Sequence, residues 1–130
     1  MPRMTVLFYQ EAPHDVPVLD WLRELRRTDR RGYAKCVAKV QRLAEMGHEL
    51  RRPEADFLRD GIRELRARRG RLNYRILYFF HGQETAVLAC SLSKEARVPD
   101  TDIERALRRK VAFEKDPGRH TFEMELRNDG

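Results

Sequence analysis

Arg66, Arg68 and Arg75, with Lys94 further along, are the side chains of this chain best suited to chemistry on a phosphate. A guanidinium stays charged at any physiological pH and donates in a planar fork that matches phosphate oxygens. Gathered on one surface, such groups would hold a phosphodiester and stabilise the charge that grows on phosphorus as an ester bond breaks. The same permanence of charge makes arginine a poor general base, so proton transfer falls to another group. Glu64, Tyr78, Glu95 and His120 are the candidates, and Lys94 joins them if its pKa is depressed; nothing in their spacing chooses one.

The stretch that would bring the arginines together is Leu58 to Phe80, LRDGIRELRARRGRLNYRILYFF, which reads as two β-strands folded back around Gly70. Ile76 to Phe80 is apolar, too short for a helix and followed by His81-Gly82-Gln83, so it reads as a buried central strand. Thr85 to Leu92 then returns as an antiparallel third strand. A two-residue Gly70-Arg71 loop sets Arg66 opposite Arg75 and Arg69 opposite Leu72, gathering Arg66, Arg68, Asn73 and Arg75 on one face. A three-residue loop would place Arg75 opposite Leu65, burying a guanidinium among aliphatic side chains with no visible partner. The shorter loop is therefore expected. By the same counting, a Gly82-Gln83 turn sets Arg75 opposite Cys90 and brings Lys94 to the arginine face near Gly70.

Blander roles exist for each of these residues. Arg66 and Arg68 are equally read as solvated strand residues paired with Glu64 or Asp60, Arg75 as structural, and Lys94 as a surface lysine. Tyr74, Tyr78, Phe79 and Phe80 read better as core than as stacking platforms for bases, and His120 as part of a tail.

The rest of the chain supplies a scaffold. Met4 to Tyr9 reads as a first strand. Asp15 is expected to cap a helix whose first turn holds Pro17, with Val18, Leu22 and Leu25 at helical spacing. After the polar run Arg26 to Arg31, a second helix carries Tyr33, Val37, Val40 and Ala44 and stops at Gly47. His48 to Phe57 reads as a loop. Thr101 and Glu104 fit a capping box opening a third helix, with Ile103, Ala106, Leu107 and Val111 on its buried side, ended by Asp116-Pro117-Gly118. The expected order is β-α-α-β-β-β-α, an α+β domain over residues 1–116 with a tail at 117–130. Its helices would cover one face of a small, antiparallel-rich sheet, leaving the other face partly open.

Composition agrees with one domain: 130 residues, 41% of them hydrophobic, are enough for a single core. A net charge of +6 and a pI of about 9.7 favour a polyanionic partner, though many basic surfaces are merely solvated. Gly-rich phosphate loops, CxxC pairs and HExxH are absent, and His14, His48, His81 and His120 never fall at i, i+4, so neither metal nor cofactor is expected. Cys36 and Cys90 read as buried, reduced thiols of a cytoplasmic protein, and no apolar run is long enough to span a bilayer.

Three pieces in order, L-R-D-G-I-R-E-L-R at Leu58 to Arg66, Y-R-I-L-Y-F-F at Tyr74 to Phe80, and P-D-T-D-I-E-R-A at Pro99 to Ala106, resemble the RelE/ParE toxin superfamily. Within it the chain is similar to the phage-derived Gp49-like group of HigB toxins, over about residues 4 to 113. The resemblance implies a RelE-like fold and the toxin of a type II toxin-antitoxin pair, a ribosome-dependent endoribonuclease that cuts mRNA without a metal. It implies Arg66, Arg75 and Lys94 as catalytic, Arg68, Arg71 and Asn73 as RNA-binding, and a helix-turn-helix, HigA-like antitoxin through which operator DNA would be reached. The chain departs from relatives at Glu95, Leu92, Ile62 and Glu64, where basic or aromatic residues are usual. A ParE-like inhibitor of DNA gyrase and an inactive antitoxin-binding relic are the alternatives.

Overall fold

In the computed structural model, which describes residues 4–94 and 97–127, the chain turns back on itself at Asp29. Helix α1 (Pro17–Thr28) ends there and helix α2 (Arg30–Met46) begins there. The Asp29 carboxylate accepts the Gly32 N–H at 3.1 Å, satisfying a donor that the first turn of a helix leaves open. It also accepts the Tyr74 hydroxyl at 2.7 Å, which ties the helix pair to the sheet. Those bonds, the Tyr74 one foremost, hold the Asp29 carboxyl below the usual aspartate range, while burial and Asp29 push Tyr74 up to about 12. α1 is not capped by Asp15: Val16 takes that position, Pro17 starts the helix, and Asp20 of the first turn receives the Val16 N–H at 3.3 Å. α2 stops at Gly47, whose φ of 56° suits glycine.

The sheet has six strands in the order β2-β3-β4-β5-β1-β6: β1 (Thr5–Tyr9), β2 (Ala55–Arg59), β3 (Ile62–Arg69), β4 (Leu72–His81), β5 (Thr85–Lys94) and β6 (Thr121–Phe122). β1 runs parallel to β5 and the other pairs are antiparallel. The fold is α+β, as expected, with two additional strands. The segment 48–57 is not a loop throughout; β2 begins at Ala55, and the stretch before Gly70 is two strands rather than one. Asp60 and Gly61 cause this, with φ of 52° and 85°, the double positive φ of a tight two-residue hairpin turn that pairs Arg59 with Ile62. The unassigned C-terminal segment supplies β6 and places Leu126 in the core.

The β3–β4 register has Arg66 opposite Arg75 and Arg69 opposite Leu72, the two-residue arrangement. Between β4 and β5 the expected register is replaced. His81 pairs with Thr85, so the loop is Gly82 to Glu84, and a bulge beyond Tyr78–Leu88 adds a further residue. Arg75 therefore opposes Leu92 rather than Cys90. The two one-residue shifts preserve the alternation of faces, and the backbone of Lys94 lies opposite Asn73 at the Gly70 end.

Helices cover both faces of the sheet, not one. α1 and α2 pack on Leu65, Tyr74, Ile76, Tyr78 and Leu88, while α3 (Asp100–Lys115) packs on Ile62, Leu77, Phe79 and Leu92 from the other side. Alternation along β4 allows this, because every residue from Tyr74 to Phe79 is buried. The Thr101–Glu104 capping box does not form, because α3 begins at Asp100 behind Pro99 and Thr101 lies inside its first turn. Ile103, Ala106 and Phe113 are the buried side, with Leu107 packed against them and Val111 turned outward. Cys36 and Cys90 are buried free thiols on opposite faces. Among the described residues no helix is long and apolar enough to cross a membrane.

A Cβ at Gly32 would collide with the Asp29 carboxylate and the Tyr74 ring. Gly32→Ala is expected to cost about 1–3 kcal/mol in urea unfolding, because packed structure yields little to an added methyl. The depressed Asp29 carboxyl contributes stability that is complete above the usual aspartate range and is lost as pH falls through its folded-state value. Urea titrations from about pH 6 to pH 2 should accordingly show a shallower acid loss in Asp29→Asn than in the wild type.

Candidate phosphate-binding groove

The face of the sheet that carries α3 has an end the helix leaves open, and the arginines lie there. β2, β3 and β4 each contribute to it through residues of one parity: Asp56 from β2, Glu64 and Arg66 from β3, and Arg75 from β4. Asp56 stands directly opposite Glu64, and Arg66 directly opposite Arg75, so like charges face each other across the strands. Contacts along β3 and diagonally across the strands resolve this. Glu64 Oε1 accepts from Arg66 Nε at 2.6 Å and from Arg75 Nη1 at 2.6 Å. Arg66 Nη2 donates to Asp56 at 2.9 Å, and Asp56 also accepts from Arg52 Nε at 3.0 Å. The hydrogen bond from Arg52 does most to keep the Asp56 carboxyl below its ordinary range, with the Phe57 N–H and the Arg66 charge adding to it.

Burial is graded along this chain of charges. Glu64 is 2% exposed and the Arg75 side chain 9%, whereas the Arg66 side chain is 31% exposed. Arg75 is thus the buried guanidinium that the register argument sought to avoid, and Glu64 is the partner that makes its burial tolerable. Arg66 is the member of the pair that reaches the solvent.

These residues floor a groove of about 740 Å³ whose far wall is Arg97 and the start of α3 at Pro99, Asp100 and Ile103. Arg59, Arg66, Arg75 and Arg97 line it against Asp56, Glu64 and Asp100, so positive charge exceeds negative by one. The cationic patch expected from the sequence is therefore largely compensated, and Arg66 pairs with Glu64 and Asp56 rather than Asp60, which is held by Arg59.

The other expected residues divide by position. Arg68 and Asn73 face each other on the groove side towards the Gly70 turn, where Arg68 is exposed and donates to the Gly70 carbonyl at 3.1 Å. Arg71 is exposed in the turn itself. Lys94 closes β5 opposite Asn73; its side chain, and Glu95 altogether, lie outside the described residues. Tyr78 is not part of the groove. It is fully buried on the opposite face, where burial pushes its pKa to about 12, and the sheet stands between it and Arg75. His120 is also remote. Its ring stacks on Tyr9 with centroids 5.2 Å apart, and Nδ1 lies 2.8 Å from the Gln10 carbonyl at the β1–β6 edge. Neither can exchange protons with a phosphodiester held at Arg66.

Asp56 and Arg97 were not among the expected residues. The Asp60-Gly61 dipeptide was the available signal for Asp56: a hairpin there makes Ala55 to Arg59 a strand and brings Asp56 beside Arg66. Arg97, in an irregular segment, has no comparable signal. A larger hollow of about 1260 Å³ lies between α2, β1 and the C-terminal segment, rimmed by Glu45, Glu84, Glu123 and Glu125. That rim repels a polyanion, which makes the arginine groove the better candidate of the two for a phosphate.

Residues 20–111 match the model of a family described as phage derived protein Gp49-like (DUF891). No curated protein matches the chain. The matched span contains β2 to β5 and the start of α3, which means every residue that lines the groove.

Removing Glu64 would leave two guanidiniums facing each other around an empty centre. Glu64→Ala is expected to destabilise by about 3–5 kcal/mol, since it strands buried charge. Asp56→Ala, at the half-exposed end of the network, should cost about 1 kcal/mol or less. Urea unfolding of both variants checks the contrast.

Proposed function

The chain belongs to the phage-derived Gp49-like family, a family of RelE/HigB-type toxins, and on that premise we propose that it is the toxin of a type II toxin-antitoxin pair. The activity proposed is metal-independent cleavage of mRNA on the ribosome. The observation that carries this reading is the pairing of Arg66 and Arg75 side by side in one groove, both oriented by a single carboxylate oxygen of Glu64.

Cleavage of RNA without a metal proceeds by attack of the 2′-oxygen on the adjacent phosphorus. The 2′-oxygen to phosphorus bond forms, the bond to the 5′-oxygen breaks, and the products are a 2′,3′-cyclic phosphate and a free 5′-hydroxyl. A base must take the 2′-proton, an acid must protonate the departing 5′-oxygen, and the pentacoordinate phosphorus carries additional negative charge. Arg66 and Arg75 are assigned to that charge, in a groove where low exposure strengthens each hydrogen bond. Glu64, already accepting from two guanidiniums, is a positioning residue rather than the base. This reading gives Lys94 to the phosphate or to proton transfer, and Arg68, Arg71 and Asn73 to the flanking RNA backbone. A helix-turn-helix antitoxin is the expected partner, with operator DNA bound through the complex.

The near balance of charge in the groove favours a second reading, in which the surface serves protein recognition and the chain blocks DNA gyrase without cutting RNA. Inducing the protein alone in cells and mapping mRNA 5′ ends separates the two. Cuts inside translated codons are expected from the wild type, reduced roughly 100-fold or more in Arg66→Ala and Arg75→Ala, the loss typical of a missing transition-state donor. Growth arrest without cuts, accompanied by loss of plasmid supercoiling, would replace the nuclease with the gyrase inhibitor. Absence of arrest would leave a protein that only binds its partner.

A further inference from the structure

Edge strand β2 carries Asp56 on the groove face and, one residue on, Phe57 on the opposite face. Phe57 is 53% exposed, the only aromatic among the large exposed hydrophobic side chains of the described residues, and it belongs to neither core cluster. Its cross-strand neighbour is Arg63, whose guanidinium lies 5.6 Å from the Phe57 ring centroid and 5.6 Å from that of Phe80. Phe80 in turn meets the His48 ring at 4.0 Å. Phe57, Arg63, Phe80 and His48 thus form one continuous stripe of three rings, with the Arg63 guanidinium between the first two. Folding does not account for its outer end, since an exposed aromatic on an edge strand invites aggregation.

We propose that Phe57 and Arg63 form a stacking platform for an unpaired base of RNA, beside the strand whose phosphate occupies the arginine groove. The proposal rests on the nuclease reading and adds a substrate contact to it. A ring flanked by a guanidinium presents the surface that single-stranded nucleic acid uses, since every base has a π-face and the cation adds attraction. The guanidinium of Arg63 supplies the cation of the platform and Arg51 is exposed a few residues before β2, while Arg52 and Arg59 are paired with Asp56 and Asp60. A protein partner would call for a broader apolar patch than one ring set among arginines. β2 is the outermost strand, so groove and platform lie on the two faces of one sheet edge, and the proposal has the RNA turn over that edge.

The test is fluorescence anisotropy of the full chain with a labelled, mixed-sequence single-stranded RNA made uncleavable by 2′-O-methylation. Wild type, Phe57→Ala, Phe57→Leu, Phe57→Trp and Arg66→Ala are compared, with urea unfolding to establish that each is folded. Phe57→Ala and Phe57→Leu should each weaken binding roughly ten-fold, the scale of one lost base stack, and Phe57→Trp should restore it. Wild-type affinity in Phe57→Leu would overturn the proposal, because apolar bulk without a π-face would then suffice. Wild-type affinity in Phe57→Ala, together with weakened binding in Arg66→Ala, would remove the platform and leave the groove intact. Failure of the wild type to bind RNA would overturn the platform, and indifference to Arg66→Ala would overturn the groove as the phosphate site beside it.

Discussion

The rest of the structure depends on one buried carboxylate. Glu64 lies between Arg66 and Arg75, close to both and almost without solvent, in a sheet whose register would otherwise set like charges against each other. Charge-assisted hydrogen bonds of this kind contribute about 1.5–3 kcal/mol each, more than neutral ones, but desolvation consumes much of the gain. Their consequence is geometric. Two guanidiniums are held at a fixed spacing with little freedom left to lose when a phosphate arrives, which is what preorganisation requires.

The scaffold around that carboxylate is rigid where the site needs it. β4 is buried on both faces through its middle, by the helix pair on one side and α3 on the other, so Arg75 projects from a strand packed on both sides. Tyr74, next to Arg75 but on the opposite face, is bonded to Asp29 and so fixes β4 against the joint between α1 and α2. α3 stops short of the arginines, and its first residues wall the groove instead of filling it. The edge strand β2 completes the floor through Asp56, which extends the charge network from the interior to solvent through Arg52.

Much of this was legible in the sequence because period and turn chemistry agree there. Alternation in Leu65 to Phe80 and glycine at the loop were sufficient to pair Arg66 with Arg75. The α+β order of the central elements followed from the same patterns. Two features escaped because stronger-looking cues overrode them. The charged run His48 to Phe57 masked β2, although Asp60-Gly61 is a hairpin signal by itself. The third loop residue Glu84 and the bulge between β4 and β5, which has no local signature in an apolar segment, each shift the register by one, so the Arg75 partner was displaced from Cys90 to Leu92. The pairing of Arg66 with Glu64 on the same strand was among the sequence readings, but the contacts of Asp56 with Arg66 and of Glu64 with Arg75 join adjacent strands, and an expected cationic patch became a nearly balanced groove. Tyr78 and His120 were plausible by type alone; parity removes the first from the groove and the position of β6 removes the second.

The most direct measurement of the central idea is NMR of the arginine side chains, following the guanidinium resonances of Arg66 and Arg75 while an uncleavable RNA is added to the intact protein. If Glu64 presents both groups to phosphate, the two sets of resonances should shift together and saturate at the same RNA concentration. RNA that binds while both sets stay still would contradict the account, because the paired arginines would then be structural and the nucleic acid would be held elsewhere.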